Sequence, residues 1–185
     1  MTQETVETSA TGEDVLAMGD IGPCELIDGE VVKLTPTGAV HGQIETSLSL
    51  ELGLFVRERN LGWVLGGEVG LYTRRNPDRV RGAAVVVLSH RAAPEGPSKG
   101  FLEVAPEVVV EIMSPADTWQ AVQEKLEEYL AIGVEQVWIV EPENRSLSVY
   151  RSATEIWRYS GDDSVSGEGL LAGFEISLKD LFGRA

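Results

Sequence analysis

The stretch from Pro106 to Pro142 constrains the fold of this chain more than any other. It begins with Val108 to Met113, an apolar run rich in β-branched residues that is typical of a strand buried on both faces of a sheet. A helical repeat of apolar residues follows and ends at Gly133, and a second apolar run, Val137 to Val140, comes directly after it. Strand, helix and strand in this order predict a right-handed crossover between two parallel neighbouring strands.

Two residues in this unit do not fit the apolar pattern. Glu111 interrupts the buried strand, and a buried carboxylate is costly unless it is paired or binds a metal. Lys125 falls on the helical stripe that contains Val122 and Tyr129 and faces the sheet. We therefore predict that the side chains of Glu111 and Lys125 meet. The pair is either part of a functional site or an ordinary ion pair, or else the lysine extends past the sheet edge to solvent.

The composition limits the class of protein. With 185 residues, the chain is predicted to form a single domain over residues 11–185, preceded by a flexible tail at residues 1–10. It carries 30 acidic against 15 basic residues, which counts against a protein that coats nucleic acid through a basic surface but is compatible with a local basic patch. The single cysteine, Cys24, excludes an internal disulfide and a cysteine zinc site. No membrane-spanning or secretory segment is evident, so we expect a cytoplasmic protein.

The segment before the crossover predicts further strands. Asp28 and Gly29 separate two alternating segments, which indicates a hairpin with a type I′ turn. Whether Glu25 in this hairpin faces the core or solvent depends on the register. Residues 64–73 and 80–88 predict two more strands, joined by a polar turn.

A long amphipathic helix is predicted from Gly38 to Asn60, with His41 at the start of its apolar stripe. A histidine at this place is either a packing residue or a phosphate-binding group at the helix N-terminus. Near the C-terminus, residues 144–160 predict a hairpin with exposed faces, and apolar anchors follow between Val165 and Phe182. The sequence has no glycine-rich phosphate loop and no serine or cysteine nucleophile arrangement.

Five motifs occur in a fixed order. They are E-L-I-D-G-E, P-T-G-A-V-H-G-Q-I, N-P-D-R-V-R-G, A-P-E-V-V-V-E-I-M-S-P-A-D-T and E-K-L-E-E-Y-L-A-I-G-V-E-Q-V-W-I-V-E-P. In this combination they resemble the Uma-two family of restriction-endonuclease-like proteins, within the PD-(D/E)XK superfamily, and the resemblance covers about residues 11 to 183. The resemblance implies an α/β (α+β) fold, with a central mixed sheet, flanking helices and β-hairpins at both ends.

The resemblance also implies a site for Mg²⁺ or Mn²⁺ at the centre of the sheet. In that superfamily strand carboxylates hold the cation and a lysine stabilises the attacking water while a phosphodiester is hydrolysed. Glu111 matches the strand glutamate, and Lys125 matches a lysine that has moved from strand to helix. Glu25 matches the N-terminal glutamate and His41 the helix histidine, so the implied metal ligands are Glu111 and Glu25.

One position departs from the family pattern. The family writes V-R-x-P-D-V where this chain has V-R-G-A-A-V from Val80 to Val85, so Ala84 occupies the position of the metal-binding aspartate. An alanine cannot bind a metal. If the two strands around Asn76 pair in tight register, Glu68 falls opposite or next to Ala84 and could supply the missing oxygen.

The resemblance therefore implies a Mg²⁺-dependent endonuclease acting on nucleic acid, with DNA favoured over RNA, and Ala84 implies that its activity is weakened or lost. The alternative is an inactive nuclease fold that binds nucleic acid or a protein partner. A homodimer is expected because this fold commonly pairs to cut two strands and the terminal hairpin offers an edge. No membrane partner is expected.

Overall fold

The computed structural model of the protein describes residues 9–183, and a sheet of eight strands forms the framework of that range. The strands are β1 (Cys24–Ile27), β2 (Glu30–Lys33), β3 (Gly62–Arg74), β4 (Arg79–Ser89), β5 (Val108–Ile112), β6 (Gln136–Glu141), β7 (Ser146–Tyr150) and β8 (Ile156–Ser160). They lie in the order β2-β1-β4-β5-β6-β7-β8, and β3 pairs with β4. The β5–β6 pair is parallel and the other pairs are antiparallel, so the predicted mixed sheet is confirmed.

Helices cover both faces of this sheet. They are α1 (Gly12–Ala17), α2 (Ala39–Glu58), α3 (Trp119–Ile132) and α4 (Leu178–Leu181). A 3₁₀ turn (Gly169–Leu171) and a small sheet of β9 (Ser164–Ser166) and β10 (Glu175–Ser177) complete the described elements. The buried stripe of α2 packs with the C-terminal segment on one face, and α3 packs on the other. Within residues 9–183, no helix has the length and apolar character needed to cross a membrane.

The crossover from β5 through α3 to β6 joins two parallel neighbouring strands, as predicted. Thr118 caps α3 by accepting a hydrogen bond from the backbone N–H of Ala121, and Gly133 ends it in the left-handed conformation at φ 99°. Strands β5 and β6 run parallel, with Glu111 opposite Ile139. The stripe of α3 that faces the sheet buries Val122 and Tyr129, as the helical spacing predicts.

The first hairpin and the N-terminal helix also follow from local sequence. Thr11 and Asp14 form a reciprocal capping box at the start of α1. Asp28 and Gly29 join β1 to β2 with positive φ angles of 53° and 85°, as a type I′ turn requires.

Strand β4 has an interrupted edge. Strand β3 follows one edge from Ser89 back to Arg79. On the other edge, β1 pairs only at Val80, and the pairing with β5 begins only at Val85. The intervening residues 81–84 have no strand partner on this edge within the described chain. Their backbone N–H and C=O groups must find other partners, since unpaired buried backbone groups are rare.

Two expectations need correction. The C-terminal hairpin was expected to have exposed faces, but β7 is buried along its whole length and only β8 is exposed. The reason is that Leu171 and Phe174 from the C-terminal segment pack in the same apolar cluster as Leu147 and Val149 of β7. The predicted tail falls mostly on residues 1–8, outside the described residues. Ala10, however, is attached, because its N–H donates a 3.0 Å hydrogen bond to the carbonyl of Gly29.

Candidate active site

A cavity of about 510 Å³ opens beside the gap between β1 and β5. Its lining includes five acidic side chains against two permanently charged basic ones. The acidic residues are Glu25, Glu45, Glu68, Glu111 and Asp117, and the basic ones are Arg81 and Lys125. His41 also lies in the wall. Because negative charge exceeds positive charge, the cavity favours a cation over an anion.

Gly82 of β4 is the point on which the predicted site residues converge. Its N–H donates to Glu25 Oε1 at 3.0 Å, and its C=O accepts from Lys125 Nζ at 2.9 Å. These side chains take the place of the strand partner that β4 lacks here. The convergence lies two residues before Ala84, the position at which the family pattern has its metal-binding aspartate.

Lys125 joins the two predicted carboxylates. Its Nζ lies 2.9 Å from Glu25 Oε1 and 3.3 Å from Glu111 Oε2. Burial by itself would lower the pKa of Lys125, but the negative charges of Glu111 and Glu25 outweigh it and raise the pKa above its ordinary value. The side chain therefore stays an ammonium ion, which suits it to stabilise negative charge rather than to act as a general base.

Glu111 is held in one orientation by two donors. Its Oε1 accepts a 2.6 Å hydrogen bond from the hydroxyl of Tyr129, and Lys125 Nζ donates to both oxygens, at 3.4 Å from Oε1 and 3.3 Å from Oε2. Burial raises the pKa of Glu111, and the Lys125 charge and the Tyr129 hydrogen bond only partly oppose that rise. The carboxylate is thus positioned by the crossover helix, since both donors come from α3.

Glu25 is buried, and both of its oxygens are engaged. Oε1 accepts from Gly82 and faces Lys125, while Oε2 accepts from Arg81 Nη1 at 3.0 Å. Arg81 is held in turn by Glu128, at 2.8 Å from Nε and 2.7 Å from Nη2. This two-point contact fixes the guanidinium plane, so Glu25 is locked into the framework of the site.

His41 lies in the cavity wall, and only 7 % of it is accessible. Its Nδ1 has no hydrogen-bond partner among residues 9–183. The nearest carboxylate oxygen with which it could pair, Glu45 Oε2, is 3.9 Å away, beyond hydrogen-bond distance. Nδ1 of His41 is thus a buried polar atom that the described part of the chain leaves without a hydrogen bond.

Strands β3 and β4 pair in the tight register considered above, which places Glu68 opposite Ala84. Gly66 pairs with Val85 and Val69 with Ala83, so Glu68 lies in a bulge opposite Ala84. Ala84 is buried, and it belongs to the apolar cluster that also contains residues of α2. Continuing the β4–β5 register one step beyond Val85 would place it opposite Glu111.

Sequence reasoning missed several residues that organise this site. Tyr129 was interpreted only as part of the packing stripe, although a tyrosine hydroxyl on a buried stripe needs a partner. Arg81 carries a related signal, a charge directly before an apolar strand run that calls for a partner, and the structure shows that this partner is Glu128. The role of Gly82 follows only from the strand pairing.

Two comparisons with known proteins bear on this fold and site. A family model named Uma2, with the description "Putative restriction endonuclease", matches residues 13–179. The chain belongs to the Uma2 family. A crystal structure of "a putative nuclease belonging to DUF820" from Anabaena variabilis ATCC 29413 is similar, with a TM-score of 0.77 and 20% identity over 93% of this chain and 97% of that chain. A search of curated proteins gave no match.

The Uma2 match confirms the family resemblance drawn from the five motifs. The similar crystal structure confirms the mixed α and β fold. Family and fold together support a nuclease-like function.

Replacing Lys125 should expose how much the site depends on its charge. We expect Lys125→Met to lower the free energy of unfolding by about 3–5 kcal/mol at neutral pH, since Glu111 and Glu25 lose their shared counter-ion. A raised carboxyl pKa means that stability is lost as pH rises through the folded-state pKa of Glu111. Removing the lysine raises that pKa further. The difference in unfolding free energy between the variant and the natural protein should therefore widen from about pH 4 to neutral pH.

Urea denaturation across this pH range measures the effect. The matched control is Lys99→Met, because Lys99 is exposed in the loop after β4. A Lys125→Met variant as stable as the control at neutral pH would contradict the assignment.

Proposed function

We propose that this protein is a Mg²⁺- or Mn²⁺-dependent endonuclease that hydrolyses phosphodiester bonds in nucleic acid, with DNA as its substrate. The observation that carries the proposal is the Glu111–Lys125 pair, presented by a β5-α3-β6 crossover at the gap in the sheet of a Uma2-family chain. A carboxylate and an ammonium ion at one cavity provide the two kinds of charge that phosphodiester hydrolysis needs, one to hold a cation and one to oppose the phosphate charge.

The donor set is compatible with a hard divalent cation. No three Asp, Glu, His or Cys side chains in residues 9–183 are placed to hold a metal ion together. Mg²⁺, however, is usually bound by one or two carboxylates, with water and substrate phosphate completing its shell. Glu111 would hold the cation, and the family pattern implies Glu25 as the second carboxylate. When bound, the cation would neutralise phosphate charge and supply a hydroxide at neutral pH.

The side chains of this chain have separable roles. Lys125 donates to the developing negative charge on the phosphate, because its raised pKa keeps it protonated. Tyr129 and Arg81 act by positioning, the first on Glu111 and the second on Glu25. His41 faces the same cavity from the first turn of α2.

The charge distribution implies that nucleic acid needs a cation to approach. Eight arginines are already paired with carboxylates of the same chain, namely Arg59, Arg74, Arg75, Arg79, Arg81, Arg91, Arg151 and Arg158. With a formal charge of −15 and an acidic cavity, the protein repels phosphate until divalent cations reduce that charge.

DNA binding itself should therefore depend on a divalent cation. We expect a labelled duplex to bind at least about tenfold more tightly in Ca²⁺, which commonly supports binding without cleavage, than in chelator at equal ionic strength. Fluorescence anisotropy measures this, and K⁺ at matched ionic strength controls for screening. Equal affinity in chelator and in Ca²⁺ would contradict this electrostatic argument.

Cleavage should depend on Glu111. We expect the natural protein to nick supercoiled plasmid DNA in Mg²⁺ or Mn²⁺, and Glu111→Gln to lower the rate by roughly 100-fold or more, because the amide cannot replace a charged ligand. The matched control is Glu175→Gln, on the exposed strand position Glu175 of β10. Equal cleavage by Glu111→Gln and the control would overturn the active-site assignment.

A second function follows from Ala84. Without an acid at this position the chain can be an inactive nuclease fold that binds nucleic acid or a protein partner. Cation-dependent DNA binding without any nicking in Mg²⁺ or Mn²⁺ would support this reading over the first. Binding of RNA oligonucleotides in the same assay tests the preference for DNA.

We also propose that the protein forms a homodimer through β8. This strand ends the sheet order, and it exposes Ile156 and Trp157 on a free edge of the described chain. Sedimentation velocity should show a dimer that Trp157→Lys weakens, whereas a monomer at all concentrations would contradict it. A cytoplasmic location remains a prediction from the single cysteine.

A further inference from the structure

We propose that Glu68, carried by a bulge of β3, supplies the second metal-binding carboxylate that Ala84 cannot, and that Gly82 leaves the space this carboxylate occupies. The inference rests on the proposed function and names a different ligand pair for the same site, Glu68 with Glu111. The substrate class stays that of the proposed function, and the ligand is a hard divalent cation such as Mg²⁺ or Mn²⁺.

The bulge lies opposite Ala84, the position at which the family pattern has an aspartate. Gly67 and Glu68 together oppose Ala84, and both have positive φ angles, 89° and 58°. Glycine adopts this conformation readily, whereas glutamate is disfavoured there. Residues held in disfavoured backbone conformations cluster at functional sites, so the conformation of Glu68 beside the cavity is consistent with a functional role.

Glu45 of α2 fixes the bulge from outside the sheet. Its Oε1 accepts a 2.9 Å hydrogen bond from the N–H of Gly67. Since Glu68 is the next residue, this bond sets the direction in which its side chain leaves β3. Glu45 and Glu68 both line the cavity, and so does Glu111 on the far side of β4.

Gly82 provides the room for this carboxylate. A Cβ atom at Gly82 would lie 2.9 Å from Glu68 Oε2, so the acid occupies space that any other residue at this position would fill. The backbone of the same Gly82 is bound by Glu25 and Lys125. Glu68 thus reaches the point on which the other site residues converge.

The Glu68 carboxylate needs a positive partner. It forms no hydrogen bond or ion pair among residues 9–183. Burial raises its pKa, and the charges of Glu45, Glu25 and Asp117 add to the rise, with Lys125 opposing it. The other four acidic side chains that line the cavity each have at least one bonded partner within residues 9–183, so Glu68 is the carboxylate with free capacity.

A second, independent observation points to a ligand in this cavity. His41 Nδ1 is buried and has no partner in the described chain, and His41 lines the same wall. A buried polar atom of this kind calls for a water, an ion or a substrate group. A hydrated cation held by Glu68 would bring water molecules into the cavity that can satisfy it.

The test measures Mn²⁺ affinity directly, by calorimetry on the full chain, and needs no catalytic activity. Glu68→Gln removes the charge at constant shape, and Gly82→Ala displaces the carboxylate through the new Cβ. We expect each to weaken Mn²⁺ binding at least about tenfold. The matched control, Glu51→Gln on the exposed side of α2, should bind as the natural protein does.

Thermal unfolding distinguishes whether Glu68 is a metal ligand or has only a structural role. Without metal, Glu68→Gln should be at least as heat-stable as the natural protein, because its carboxylate is unfavourable when no cation is present. With Mn²⁺ the natural protein should become the more stable of the two. In the Glu68→Gln background, Ala84→Asp should restore Mn²⁺ binding if the register opposite Glu111 holds.

The outcomes distinguish this inference from the proposed function. Mn²⁺ binding that depends on Glu68 and Gly82, without DNA cleavage, supports the ligand pair and overturns the endonuclease. Cleavage that Glu68→Gln leaves unchanged supports the endonuclease and overturns the ligand pair. No Mn²⁺ binding by the natural protein, or equal binding by Glu68→Gln and Glu51→Gln, also overturns it.

Discussion

The gap on one edge of β4 is the constraint on which the rest of the site depends. Where β1 stops and β5 has not yet begun, the N–H and C=O of Gly82 would be buried without partners. Side chains meet that need, Glu25 at the N–H and Lys125 at the C=O. A requirement of backbone hydrogen bonding thereby gathers ionisable groups at one point of an otherwise apolar sheet.

The charges at this point compensate one another in a closed set. Lys125 lies between Glu25 and Glu111, and Arg81 lies between Glu25 and Glu128. Hydrogen bonds from Arg81 and Thr73 lower the pKa of Glu128, although burial opposes the effect. Glu68 stands outside this set, because the charges of Lys125 and Glu25 affect its pKa but it bonds to neither of them.

Much of the architecture could be predicted from local patterns. The β5-α3-β6 crossover and the meeting of Glu111 with Lys125 follow from helical spacing and one charge in an apolar run, and both are confirmed. The same reasoning could not reveal Gly82, because an unpaired strand edge is a property of three strands distant in sequence. The same reasoning also predicted exposed faces for β7. The strand is buried because the segment that covers it begins only at Ser164, further along the chain.

The anchoring of Glu25 and Lys125 to main-chain atoms bears on how such proteins diverge. No substitution at position 82 abolishes its carbonyl group, so this pair retains a folding role in a chain that has lost catalysis. The presence of this pair in a related protein therefore indicates the fold and not catalytic activity. A carboxylate at position 84 of β4, or at position 68 in the opposing bulge of β3, would be a better indicator of activity.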